Sequence, residues 1–146
     1  MEPSIVFSFS NSFVLIGWIL LLFFPNWKYT STLVLNGVIL ILSLIYTTLI
    51  LTTIKDFDVN SFSTLQNVKE LFQNDMAVAA GWIHYLAFDL FVGLYIVNKG
   101  KELGITRWQY TLCLPFTFMF GPFGLLMFLI TKRLKSRLNP ENSRAK

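Results

Sequence analysis

The sequence predicts an all-α integral membrane four-helix bundle with a short interfacial helix between spans 2 and 3. The composition is one reason, because 54% of the 146 residues are apolar and only 14% are charged. A soluble domain of this length has a wet surface and carries more charge. The second reason is that the apolar residues come in long blocks, with the length that crosses a bilayer.

Each block gives one predicted span. The first covers about 5–24 and ends before Pro25, which cannot continue a helix interior. The other three cover about 31–54, 76–98 and 108–130. We therefore assign residues 1–134 to one four-span membrane domain and residues 135–146 to a basic polar tail.

The loop between the second and third spans contains a helix-start signal. Ser63 is followed three residues later by Gln66, which is the spacing of a capping box. An apolar face follows it, formed by Leu65, Val68, Leu71 and Phe72. These residues predict a short helix that lies at the membrane interface and leads into the third span.

Four spans would place both termini on one side of the membrane. That side would hold Lys55, Lys69, Lys132, Arg133, Lys135, Arg137, Arg144 and Lys146, and the opposite side Lys28, Lys99, Lys101 and Arg107. The positive-inside rule then predicts that both termini are cytoplasmic. The basic tail either determines this topology or forms a surface for anionic lipid.

Several functional classes find no support in the sequence. The chain has one histidine and one cysteine, so neither a closed four-ligand metal site nor a Ser-His triad is supported within one chain. It has no nucleotide-binding glycine motif. Its basic residues lie in loops and the tail, which is not the pattern of a nucleic-acid surface. We expect no metal, no cofactor and no nucleic-acid partner, whereas membrane lipid is an expected partner and the oligomeric state stays open.

The third span contains the two candidate catalytic residues, His84 and Asp89. An ionisable side chain within a membrane span is costly and marks a candidate functional site. The two side chains are about 140° apart on a helix, so they can meet only through a neighbouring helix, a ligand or water. An acid and an imidazole at this depth can serve as general acid and base. The alternative for Asp89 is a structural hydrogen bond to Tyr85 or to a freed backbone carbonyl, and the alternative for His84 is to bridge two helices.

The helical wheel of the third span also predicts its rotation. One arc is purely apolar and consists of Ala79, Ile83, Leu86, Leu90 and Val97. We expect this arc to face lipid. His84 and Asp89 should then face the interior of the bundle.

Six further residues are candidate substrate contacts: Trp82, Tyr85, Phe88, Asn36, Gly121 and Pro122. The first three flank the ionisable pair. Asn36 is the most costly polar residue of the second span, and an interhelical hydrogen bond is its alternative role.

The fourth span contains two helix-breaking signals. Pro115 and Pro122 each remove one helix hydrogen bond and free a carbonyl, near Thr111 and Phe118 respectively. A break at membrane depth requires protein or a polar cavity to satisfy the backbone. The break at Gly121-Pro122 therefore either shapes the bundle or opens a pocket.

Residues 65–72, 81–93 and 120–126 resemble the abscisic-acid-deficient-four-like membrane proteins. Plant members of that family are chloroplast membrane proteins required for making neoxanthin from violaxanthin, and bacterial members are similar small four-span proteins. The resemblance implies functional importance for Trp82, His84, Tyr85, Asp89 and the Gly121-Pro122 break. Asn98 stands where many relatives have an acid. Because no Arg- and Ser-rich transit segment is present, we expect a bacterial member in the inner membrane.

The resemblance implies a carotenoid, or another lipophilic molecule, as the substrate. The leading hypothesis is an isomerase, or a component of one, in which Asp89 and His84 exchange protons with a substrate held between the helices. The alternative hypothesis is a non-enzymatic membrane scaffold or assembly factor, in which the same residues only hold the helices together.

Overall fold

The computed structural model describes residues 2–53 and 59–138. Four helices are long and apolar enough to cross a membrane, and no strand occurs in the described ranges, so the predicted all-α membrane fold class is confirmed. Span 1 is Pro3–Phe23, span 3 is Asp75–Glu102 and span 4 is Arg107–Leu138. Span 2 begins as the α-helix Thr30–Leu33, continues through the π-helical Val34–Ile39 and ends as the α-helix Leu40–Thr53. A 3-10 turn, Val59–Phe62, and a short α-helix, Leu65–Leu71, precede span 3.

The short helix begins one residue later than the capping box predicts. Thr64 is its N-cap, and the Thr64 hydroxyl oxygen accepts from the backbone N–H of Asn67 at 3.1 Å. Gln66 does not close a capping box but donates to Glu70 at 2.9 Å. The N-cap is satisfied, because threonine, like serine, has a side-chain oxygen that can accept from a free backbone N–H of the first turn.

The end of this short helix is held on span 3 by Phe72 and Gly81. A Cβ at Gly81 would come within 2.9 Å of the Phe72 ring, so the missing side chain makes room for that ring. The predicted short helix between spans 2 and 3 is therefore present and packed against the start of span 3.

Span 3 is the central helix of the bundle. Half of the residues in its 18-residue apolar stretch are buried, against 22–33% in the corresponding stretches of the other three long helices. It runs parallel to span 1, where Gly17 lies against Leu90 and Gly93 lies against the Trp18 ring. It runs antiparallel to span 2. Small residues at these crossings let the helix backbones approach closely, which is how helices associate in a membrane.

The predicted rotation of span 3 is wrong for most of its residues. Ile83, Leu90 and Val97, expected to face lipid, are each 0% exposed, and His84 is exposed. Lipid tails are as apolar as leucine, so nothing drives apolar side chains outward, and the fit of their shapes decides which face packs. Asp89 is buried, as expected.

Span 4 does not run straight but folds back at Phe120, whose φ of −142° and ψ of 45° are not helical. The rings of Phe116 and Phe123 are 5.6 Å apart across the fold, whereas residues seven apart on a straight helix are separated by about 10 Å. The Cα of Gly124 lies against the backbone of Thr117, where a Cβ would not fit. Span 4 is therefore a helical hairpin, with an entry arm of residues 107–119 and a return arm of residues 121–138.

Contacts with span 3 confirm the direction of the two arms. In the entry arm Tyr110 packs against Gly100, near the end of span 3, and the chain reaches Asp89 at Gly121. In the return arm the ring of Phe128 lies 6.0 Å from the ring of Tyr95. Lys132 then lines a groove together with Asn98, Lys99 and Glu102. The return arm thus ends at the membrane face from which the entry arm started.

The hairpin puts the two ends of the described chain on opposite faces. Glu2 and Pro3 line a hollow with Asp75, which is at the start of span 3. Lys132 instead lies near the end of span 3. The expectation that both termini share a side is therefore wrong, because the return arm does not cross. The face where the return arm ends carries Lys28, Lys99, Lys101, Arg107, Lys132, Arg133, Lys135 and Arg137. Among the described basic residues, Lys69 belongs to the other face.

This geometry predicts the sidedness of single cysteines in a Cys113→Ala background. Ser136→Cys and Thr106→Cys should react with a membrane-impermeant maleimide from one side, and Ser4→Cys and Ser63→Cys from the other. The positive-inside rule predicts that the Ser136 side is cytoplasmic. Labelling of sealed right-side-out and inverted vesicles measures this directly. Reaction of Ser4→Cys and Ser136→Cys from the same side would contradict the hairpin.

Candidate functional site

The fold in span 4 leaves backbone groups without helix partners at membrane depth. Pro122 has no N–H, so the Phe118 carbonyl loses its helix bond, as the sequence predicts. The Tyr85 hydroxyl of span 3 donates to the carbonyl oxygens of both Phe118 and Met119, at 3.1 Å each. Tyr85 therefore satisfies the C-terminal end of the entry arm.

Asp89, one turn further along span 3, meets the beginning of the return arm. Its carboxyl lies directly against the backbone of Gly121, the first residue of the return arm. A Cβ at Gly121 would lie 2.8 Å from Asp89 Cγ, so only glycine fits there. We call Tyr85 and Asp89 the hairpin clamp, because together they hold both ends of the break.

One oxygen atom of the hairpin clamp makes no hydrogen bond to the described residues. Asp89 Oδ2 is buried and has no hydrogen-bond partner among the described residues. A buried polar atom without a partner is unfavourable and requires an explanation.

Trp82 connects the hairpin clamp to span 1. Its indole N–H donates to Asn11 Oδ1 at 2.7 Å, and its ring lies 5.3 Å from the Tyr85 ring. Sequence reasoning missed Asn11, although a lone amide inside an apolar run is a detectable signal. Trp82 thus links span 1 to the residue that holds the break in span 4.

His84 lies on a different face of span 3 from Asp89. Its ring stacks on Phe88 with centroids 4.5 Å apart and lies 5.6 Å from the ring of Tyr46 in span 2. It makes no hydrogen bond to the residues that the structure describes. The structure therefore does not bring the predicted acid and base together: Asp89 meets the hairpin, and His84 faces span 2.

His84 opens into a cavity of about 420 Å³ between span 2, the short helix and the start of span 3. Its polar lining consists of Tyr46, Glu70, Asn74 and His84, and the remaining walls are largely apolar, including Phe72. Asn74 also caps span 3, since its side-chain oxygen accepts from the Met76 N–H at 2.8 Å. Sequence reasoning missed Tyr46 and Glu70 because they reach the cavity from elements distant in the chain.

Three other predicted contacts do not line the His84 cavity. Asn36 is exposed in the π-helical part of span 2, and Phe88 is 58% exposed beside His84. Pro122 is exposed at the start of the return arm. Within residues 2–53 and 59–138, no three His, Cys, Asp or Glu side chains form a group that could hold a metal ion.

Comparison with known proteins identifies relatives. The family model for ABA DEFICIENT 4-like proteins matches residues 5–128. The chain is 35% identical over 71 residues to Protein ABA DEFICIENT 4, chloroplastic, of Arabidopsis thaliana. That match covers 48% of this chain and 30% of the Arabidopsis protein, so the chain spans less than a third of that relative. No solved structure matches the chain.

The contact between Gly121 and Asp89 predicts a specific loss of stability. Gly121→Ala should destabilise the protein by about 1–3 kcal/mol, because the new methyl group overlaps the Asp89 carboxyl. Gly37→Ala is the matched control, since a Cβ there meets nothing within 4 Å. That change should be neutral, or stabilising by up to about 1 kcal/mol. Unfolding in detergent micelles compares the two, and equal stability would show that the Asp89 contact does not hold the break.

Proposed function

Because the chain belongs to the ABA DEFICIENT 4-like family, we propose that this integral membrane protein binds a carotenoid-like or similar lipophilic substrate. We propose further that it isomerises the substrate, or forms part of an isomerase, by intramembrane proton transfer. The resemblance to proteins associated with neoxanthin synthesis supports the class of substrate. We propose that the substrate binds in the cavity at His84.

The cavity is the observation that carries this proposal. Ligand pockets are typically concave, largely apolar and about 300–1,000 Å³ in volume, with a few placed polar groups. The His84 cavity has this size and this mixed lining. It lies where the short helix meets the membrane spans, so an oxygenated ring can enter it while an apolar chain stays in lipid beside the exposed Phe88.

His84 is the proton-transfer group of this proposal. Opening an epoxide or shifting a double bond requires one group that gives a proton and one that takes a proton. The imidazole can do either, because neither ring nitrogen is engaged by the described residues. Tyr46 and Glu70 line the same cavity and are the available second groups. The proton returns to the protein at the end of an isomerisation, so no oxidant or reductant is required.

Asp89 has two possible roles within this proposal. As part of the hairpin clamp it positions the fold and takes no part in chemistry. Its unpartnered Oδ2 favours a second role, as a proton donor to a substrate that reaches the break. The non-enzymatic scaffold is the second candidate function, and the clamp favours it, because Tyr85 and Asp89 are both used to hold the hairpin.

Variants of the two ionisable residues separate these roles. His84→Gln should fold normally, since the side chain is exposed, and should lower conversion by at least about 100-fold, the smallest contribution expected of a general acid or base. Phe91→Leu is the control, because it is exposed on the same span and does not line the cavity. Asp89→Asn should cost on the order of 1 kcal/mol, because the amide has the size of the carboxyl that packs against Gly121 and can still hydrogen-bond between helices.

The measurement uses protein made in a carotenoid-producing bacterial host. Pigment is extracted from each purified variant and read by absorption and mass spectrometry. Loss of conversion in stable Asp89→Asn, with His84→Gln active, would move the proton chemistry to Asp89. If both variants are stable and contain the same pigments as the wild type, the scaffold function holds and the enzyme proposal is wrong.

A further inference from the structure

The two arms of the hairpin leave a groove between them, which we call the arm groove. Its volume is about 460 Å³. The entry arm contributes Trp108, Gln109, Leu112 and Cys113, and the return arm contributes Met127, Ile130, Thr131, Leu134 and Lys135. A straight fourth helix would hold these two sets far apart, so the groove exists only because the segment folds back.

The arm groove faces outward from the bundle and is polar only at one end. Leu112, Ile130 and Leu134 are each more than half exposed, so this apolar stretch is open to the surrounding acyl chains. Trp108 and Lys135 lie at the membrane-face end, and Cys113 lies about two helical turns deeper than the arm's start. Such a groove accommodates a molecule with a polar head and an apolar tail.

The polar end of the arm groove is positively charged. Lys135 makes no hydrogen bond or ion pair with the described residues, and no Asp or Glu lines the groove. Arg107, Lys132, Arg133 and Arg137 belong to the same membrane face but do not line the groove. Trp108 is 64% exposed and is of the residue type that anchors at the headgroup level.

We propose that the arm groove binds one anionic glycerophospholipid of the surrounding bilayer. The phosphate lies at Lys135 beside Trp108, and an acyl chain lies along Leu112, Ile130 and Leu134. The charge of the groove selects this occupant, because a second apolar helix would bring no anion to Lys135. A zwitterionic lipid would bring a phosphate but also a cationic group beside the basic residues of this face. The site is separate from the His84 cavity, so it does not depend on the proposed function.

The test is lipid retention by the full chain in native mass spectrometry. The protein is purified in detergent with equal amounts of phosphatidylglycerol and phosphatidylcholine. The wild-type chain should retain one phosphatidylglycerol with a preference of about fivefold, the factor expected for one cationic contact near a membrane surface. Lys135→Gln should remove this preference. Ile130→Trp, which keeps the charge but fills the groove, should remove the bound lipid.

Arg137→Gln is the matched control, because it removes the same charge two residues away and does not line the groove. It should retain the wild-type preference. Equal losses in Lys135→Gln and Arg137→Gln would show only a diffuse attraction to the basic face and would overturn the proposal. An unchanged lipid preference in both Lys135→Gln and Ile130→Trp would also overturn it. So would a dimer of the wild-type chain that the Ile130→Trp change dissociates, because a second copy of the chain would then occupy the groove.

Discussion

The backbone of a membrane protein has to satisfy its own hydrogen bonds wherever water is excluded, and in this chain that requirement is concentrated at Phe120. The break there frees carbonyls at one end and begins a new helical arm at the other, and side chains of span 3 meet both ends. Tyr85 and Asp89 are four residues apart and so lie on one helical face. Tyr85 is a donor to the freed carbonyls, and the Asp89 carboxyl lies against Gly121 at the beginning of the return arm. Each has the chemistry that its end of the break needs.

This pairing fixes the rotation of the central helix and hence much of the bundle. Once Asp89 faces the hairpin, the helical period places His84 towards span 2 and Leu90 towards span 1. The crossing with span 1 then depends on Gly17, which leaves space for Leu90. The same rotation opens the cavity at His84 and buries Ile83, Leu90 and Val97.

Composition and the length of the apolar blocks predict a helical membrane protein, and the prolines predict where backbone groups are freed. The sequence does not predict the direction of the chain after the break or the face that each helix buries. Pro122 predicts which carbonyl is freed, because the loss of a proline N–H is local and certain. It does not predict that the chain reverses there, since a kink and a hairpin have the same local signal. The predicted rotation of span 3 is wrong because it assigns the apolar arc to lipid, whereas apolar side chains have no preference between lipid and the interior of the bundle. Asp89 could be placed inside by its charge, but the partners of His84 depend on contacts with Tyr46 and Glu70 that no local pattern encodes.

The reversal at Phe120 has a consequence for how the protein is made. A segment that enters and leaves by the same face does not carry the polypeptide after it through the bilayer, so the described end of the chain stays on the face from which the segment entered. The hairpin also cannot satisfy its own break, because the groups that do so belong to span 3. Stable docking of the last hydrophobic segment therefore requires span 3, whose side chains meet both ends of the break.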